Sequence, residues 1–192
     1  MTKSSQVQKR QNARKAKIID IVWRTPRASR TMIQKTTHMS MESTLTLVNE
    51  LLEEGLLLRA GKSDGNSVGR KSMILRINPD GCYGMGIRFN ARCITGVVIN
   101  LEHKPVLTER MLVPGGADTA MILDMLKTCI LRLLDGLKER SARLEGIGIA
   151  APGVMDLSNE VVKRYVHVPD WNDVPLRERM QKEFPWPVSV EH

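Results

Sequence analysis

Apolar residues first recur at helical spacing over Gln8–Trp23, where Ile18, Ile19, Ile21 and Val22 share a face and Lys9, Arg10, Arg14, Lys15 and Lys17 surround it. Pro26 ends that helix. A shorter segment, Ser29–Thr37, follows with Ser29 as its N-cap. After the link His38-Met39 a second N-cap residue, Ser40, opens a helix that runs from Met41 to Glu54. In it Leu45, Val48, Leu51 and Leu52 recur as a core stripe, which turns Ser43, Thr44 and Thr46 away from the core. Gly55 closes the helix as its C′ residue. Two short helices joined by a tight link, the second one amphipathic, are the geometry of a helix-turn-helix. Leu56–Arg59 and Ser72–Ile77 then read as strands, joined by Gly61–Lys71, a glycine-rich basic loop too long for a tight hairpin. Such a loop has the character of a wing.

The turn cluster Asn78-Pro79-Asp80-Gly81 marks a boundary, giving expected domains of residues 1–78 and 79–192. Beyond it, Tyr83–Phe89, Cys93–Leu101 and Val106–Val113 predict an antiparallel meander. Asp118 caps a helix reaching about Arg140, with Met121, Ile122, Met125, Leu126, Ile130, Leu133, Leu134 and Leu137 on its buried side. Leu144–Ala151 is an apolar strand of the kind found inside α/β sheets. A hairpin over Val154–Tyr165, a helix over Val174–Phe184 and the apolar stretch Val188–Val190 complete the pattern.

Composition adds most once the charge is divided. The chain carries a net charge of +8 over 192 residues. Residues 1–71 hold 14 lysines and arginines against 6 acidic residues, a balance of +8, and residues 72–192 hold 15 against 15. The whole excess therefore lies on the helix-turn-helix segment. A membrane-surface patch can share that charge, but the two-helix spacing and the basic wing point to duplex DNA. Candidate DNA contacts are Arg30, Ser40, Ser43, Thr44 and Thr46 on the helices and Lys62, Arg70 and Lys71 on the wing. No apolar run is long enough to span a membrane, and no apolar region follows the basic N-terminus as in a secretory signal. The three cysteines, Cys82, Cys93 and Cys129, are scattered, forming neither a disulfide framework nor a zinc knuckle, and they suit a reducing cytoplasm.

The β-β-β-α-β-α-β order after residue 79 is that of an actin- or sugar-kinase-like lobe. Leu-Leu-Glu-Glu-Gly-Leu at 51–56, Val-Gly-Arg-Lys at 68–71, Ile-Asn-Pro at 77–79, Ala-Ala-Pro-Gly-Val-Met-Asp at 150–156 and Trp171 resemble the ROK family of repressors, open reading frames and kinases. The resemblance implies an α+β chain: a winged helix-turn-helix followed by the first lobe of a ribonuclease H-like domain that senses a sugar or sugar phosphate. It implies a repressor of carbohydrate-metabolism genes, with an operator duplex and a sugar effector as partners, and a homodimer or tetramer at full length. The family's second lobe, catalytic aspartate and cysteine-rich zinc motif fall after residue 192, so the chain is expected to be a truncated member holding no cofactor or metal. Family kinases carry an Asp-x-Gly-Gly-Thr phosphate loop, and the matching stretch here is Arg88-Phe89-Asn90-Ala91-Arg92, without the carboxylate, the glycines or the threonine. A repressor is thus expected rather than the two alternatives, a sugar kinase with an N-terminal extension or a basic module without DNA specificity. The family's sugar-contact positions fall on Gly153, His167 and His192, both histidines departing from its usual asparagine, and Trp171 is expected to pack.

Overall fold

The computed structural model describes residues 3–62, 73–138, 143–156 and 158–192. The chain divides into two compact units, Met1–Gly81 and Cys82–His192.

The first unit holds α1 (Lys3–Arg24), β1 (Ala28–Ser29), α2 (Arg30–Thr37), α3 (Met41–Glu53), β2 (Leu57–Lys62) and β3 (Met73–Ile77). The three strands form an antiparallel sheet in the order β1-β3-β2. Both expected caps are made: Ser29 Oγ accepts from the Met32 N–H at 3.3 Å and Ser40 Oγ from the Ser43 N–H at 3.1 Å. Gly55 ends α3 with φ near +72°, a left-handed backbone that glycine adopts without a Cβ penalty. Ile18, Ile21 and Val22 bury the C-terminal half of α1. Its residues 6–13, by contrast, are exposed throughout. Lys15 Nζ lies 2.7 Å from Glu50 Oε2 and 2.6 Å from Glu54 Oε1, which ties α1 to α3 and raises the Lys15 pKa, mainly through those two hydrogen bonds.

The phase of α3 differs from expectation. Thr44, Leu47, Val48 and Leu51 are its buried residues, whereas Leu45 is 42% exposed and Leu52 half-buried. Thr44 thus faces the core and Leu45 faces solvent, reversing the expected roles. A threonine can take the inward position because its Oγ1 donates to the Ser40 carbonyl at 3.0 Å, so no polar group is stranded when its methyl packs. β1 was not anticipated, since two residues carry no readable alternation.

The second unit is built on five strands: β4 (Tyr83–Phe89), β5 (Cys93–Asn100), β6 (Pro105–Leu112), β7 (Leu144–Ala150) and β11 (Val188–Glu191), ordered β11-β7-β4-β5-β6. β4, β5 and β6 form the expected meander, and β7 and β11 run parallel to β4. Helices α4 (Thr119–Lys138) and α5 (Leu176–Glu183) pack with the face that carries Met85, Ile87, Phe89, Ile94, Val98, Ile147, Ile149, Val188 and Val190. Asp118 caps α4 by accepting from the Met121 N–H at 2.8 Å. The Met121 side chain, expected on the buried side, is instead 44% exposed, because it falls in the first turn, before the stripe that begins at Ile122 meets the sheet. α4 lies so close that a Cβ on Gly96 would meet Leu133 Cδ1 at 2.6 Å and Cys129 Sγ at 2.9 Å. Burial there pushes the Cys129 thiol up to about 11, the behaviour of a packing residue. The opposite sheet face presents Gly84, Gly86, Thr95, Val97, Gly146 and Gly148, all half-buried, and the exposed Ser189.

A small antiparallel sheet joins β8 (Val154–Asp156), β9 (Val161–Arg164) and β10 (Asn172–Val174) in the order β10-β9-β8. Here the expected start of the last helix is corrected: Val174 pairs with Val162, and α5 begins at Leu176. Pro175 accounts for the shift, because a proline ring disfavours helical backbone in the residue before it. Beneath this sheet Trp171 is fully buried and its Nε1 donates to the Val162 carbonyl at 3.2 Å. Phe89 and Tyr165 flank it at ring separations of 5.6 and 6.0 Å.

Candidate nucleic-acid interface and ligand cleft

In the first unit the N-terminus of α3, the α2–α3 turn and α1 enclose a polar hollow of about 400 Å³. Arg14 and Lys17, three residues apart on α1, line it together with Ser40 and Ser43. Two cations beside the positive end of a helix dipole favour an anion such as a backbone phosphate. The sequence reading missed this pair as site residues, although their i, i+3 spacing on a helix was legible.

The expected contacts fare differently. Ser40 and Ser43 sit at the hollow, their hydroxyls 2.9 Å apart. Thr46 is exposed and donates to the Glu42 carbonyl at 3.1 Å, leaving its oxygen able to accept. Thr44 is withdrawn into the core. Arg30 is half-buried: its Nη2 donates to Asn49 Oδ1 at 2.8 Å, bracing α2 against α3, and burial lowers its pKa, with Arg59 adding to the effect. Lys62 ends β2, while Arg70 and Lys71 lie outside the described residues. Replacing Thr44 with Val should change stability by no more than about 1 kcal/mol, because the Ser40 carbonyl keeps the Thr44 N–H as a donor. It should also leave any DNA sequence preference unchanged. Urea unfolding and a binding-site logo check both halves.

In the second unit the parallel strands β4, β7 and β11 end at Phe89, Ala150 and Glu191, side by side in the sheet. Gly153 follows β7 and His192 follows β11, so both lie at this carboxyl end, where open α/β sheets place ligands. His167 is exposed after β9, its ring edge-on to Tyr165 at 5.7 Å. Gly153 has φ near +97°, and a Cβ there would fall 2.2 Å from the Arg164 carbonyl oxygen. It is therefore required for backbone approach. Gly153→Ala should destabilise the unit by clearly more than the about 1 kcal/mol usual for such a change, since left-handed backbone and a clash coincide. Chemical denaturation checks it. A hollow of about 460 Å³ on this opposite sheet face is lined by Gly86, Arg88, Thr95, Gly148, Ser189 and Glu191, among others.

The turn after β4 has its own occupant. Asn90 Oδ1 accepts from the Arg92 N–H at 2.8 Å and from the Cys93 N–H at 3.0 Å, and the Asn90 N–H is bonded to the Cys93 carbonyl. The Arg92 and Cys93 N–H groups are thus taken by a side chain within the turn and are not free to cradle a phosphate. Among the described residues no group of three His, Cys, Asp or Glu side chains stands together as metal ligands. No helix described here is long and apolar enough to cross a membrane.

Comparison with known proteins agrees with this architecture. The sequence profile of the ROK family matches residues 66–192. The xylose repressor of Bacillus spizizenii is 26% identical over 167 residues, covering 85% of this chain and 42% of its own. A crystal structure described as a ROK family transcriptional regulator, homolog of the E. coli MLC protein, superposes with a TM-score of 0.71 at 18% identity over 92% of this chain and 44% of that one. A ROK family glucokinase from Streptomyces griseus, crystallised with glucose and AMPPNP, gives a TM-score of 0.50 at 22% identity over 57% of this chain and 33% of its own. The chain thus spans less than half the length of the relatives it matches.

Proposed function

The chain belongs to the ROK family, and from that premise we propose that it acts as a DNA-binding transcriptional repressor whose operator affinity responds to a sugar or sugar phosphate. Residues 1–78 are its winged helix-turn-helix, and residues 79–192 are the first lobe of its sensor, with Gly153, His167 and His192 at the effector side. The observation that carries this reading is the confinement of the whole +8 charge to residues 1–71, in a unit whose α3 starts beside Arg14 and Lys17. Repressor relatives support it. Footprinting in excess competitor DNA tests it, because a specific binder protects one fixed site and a merely basic module protects none. A panel of sugars and sugar phosphates added to the same reaction identifies the effector class.

A sugar kinase is the rival, favoured by the shared fold of the S. griseus glucokinase. Against it stands the Asn90 turn, with the Asn90, Arg92 and Cys93 N–H groups engaged and no carboxylate at position 88 to hold a metal. A coupled ATPase assay across the same sugars should stay at background. The full-length protein is expected to be a dimer or tetramer on a two-fold operator with half-sites about one helical turn, or a multiple of it, apart.

A further inference from the structure

The phase of α3 puts two apolar side chains where the sequence pattern placed none. With Thr44, Leu47, Val48 and Leu51 turned inward, Met41 and Leu45 stand one helical turn apart on the outer face, 55% and 42% exposed. Thr46 and Glu42 flank them, also exposed. Two side chains are far too little to seat a second protein, for which a stable interface needs about 800 Å² per partner. The unit around them carries all the chain's excess positive charge, which selects a polyanion as the occupant of this surface. A duplex offers one apolar group in its major groove, the C5 methyl of thymine.

We propose that Leu45, with Met41 beside it, reads thymine methyl groups in the major groove, so that sequence preference at the centre of the recognition helix comes from apolar contact more than from the hydroxyls of Ser43 and Thr46. The proposal rests on the DNA-binding function above. Threonine and serine hydroxyls donate or accept with most base edges and discriminate weakly, whereas a leucine methyl gains only where a base methyl meets it. Leu45, being branched and stiffer than Met41, is the discriminating member of the pair.

The test uses the 192-residue chain and a duplex pool with a randomised centre. The most enriched duplex is resynthesised with deoxyuridine replacing each thymidine in turn, which removes one methyl at a time. At one or two positions the replacement should weaken binding about fourfold, the worth of one buried methyl-sized group. Leu45→Ala, which removes an exposed side chain and leaves the buried stripe intact, should bind the parent duplex about fourfold more weakly and be indifferent to uracil at those positions. Wild-type indifference to every uracil replacement overturns the proposal alone, as does a Leu45→Ala variant that keeps full sensitivity. Failure of the pool to enrich any sequence overturns the specific DNA-binding function and this inference with it.

Discussion

Raising monovalent salt from about 50 to about 200 mM should weaken duplex binding by about a thousandfold or more, as for proteins that neutralise six or more phosphates. The slope of log affinity against log salt should fall by about 0.9 for each phosphate contact removed. Arg14→Ala and Lys17→Ala should each show that change, because both side chains line the hollow at the α3 N-terminus. Lys15→Ala is the informative control. Its ammonium is already held by Glu50 and Glu54, so its removal should loosen α1 from α3 yet leave the salt slope where it was. Equal slopes for Lys15 and Lys17 variants would show that the bookkeeping of cations here is wrong. Titrations at four or five salt concentrations, with each variant's melting temperature measured beside them, decide it.

Trp171→Ala should produce the largest stability loss in the second unit, about 3–5 kcal/mol by analogy with buried aromatic truncations. Three contributions converge on that residue. Its ring is fully buried, it is flanked by Phe89 and Tyr165, and its indole N–H satisfies the Val162 carbonyl in the middle strand of the small sheet. Truncation leaves a cavity and an orphan acceptor at once. Trp171→Phe should retain much of the packing and lose chiefly the hydrogen bond, about 1–3 kcal/mol. Urea denaturation followed by far-ultraviolet circular dichroism measures both. A loss under about 1 kcal/mol for the alanine variant would mean that the small sheet and the main core unfold independently.

Elements with a strong local signal were legible from sequence. Ser29, Ser40, Asp118 and Gly55 fixed helix ends because a cap or a left-handed C′ residue is a property of one residue in one place. The meander and α4 followed from periodicity over seven or more residues. The candidate site was legible only in outline. The phase of α3 turned on one threonine, and a threonine that bonds its own helix backbone packs as readily as a leucine, so an apolar count chose the neighbouring stripe. The Arg30 bond to Asn49, nineteen residues on, was not legible either, because nothing in the sequence neighbourhood of Arg30 reveals it. The carboxyl-end cluster of Phe89, Ala150 and Glu191 depends on parallel strand order, which is a non-local property with no periodicity of its own.

The basic N-terminal stretch of α1, through Lys17, makes its helix sensitive to the ionic surroundings. Its first turn carries no acidic residue, Arg10 and Arg14 stand at i, i+4, and Arg14 and Lys17 at i, i+3. Each such like-charge pair destabilises a helix by about 0.2–0.5 kcal/mol. In the free protein, added salt should therefore lengthen this helix by screening its own repulsion. On the proposed DNA surface the same ions should compete with the phosphates. Ionic strength should then act on one helix with opposite signs, ordering it when it is alone and releasing it when it is bound.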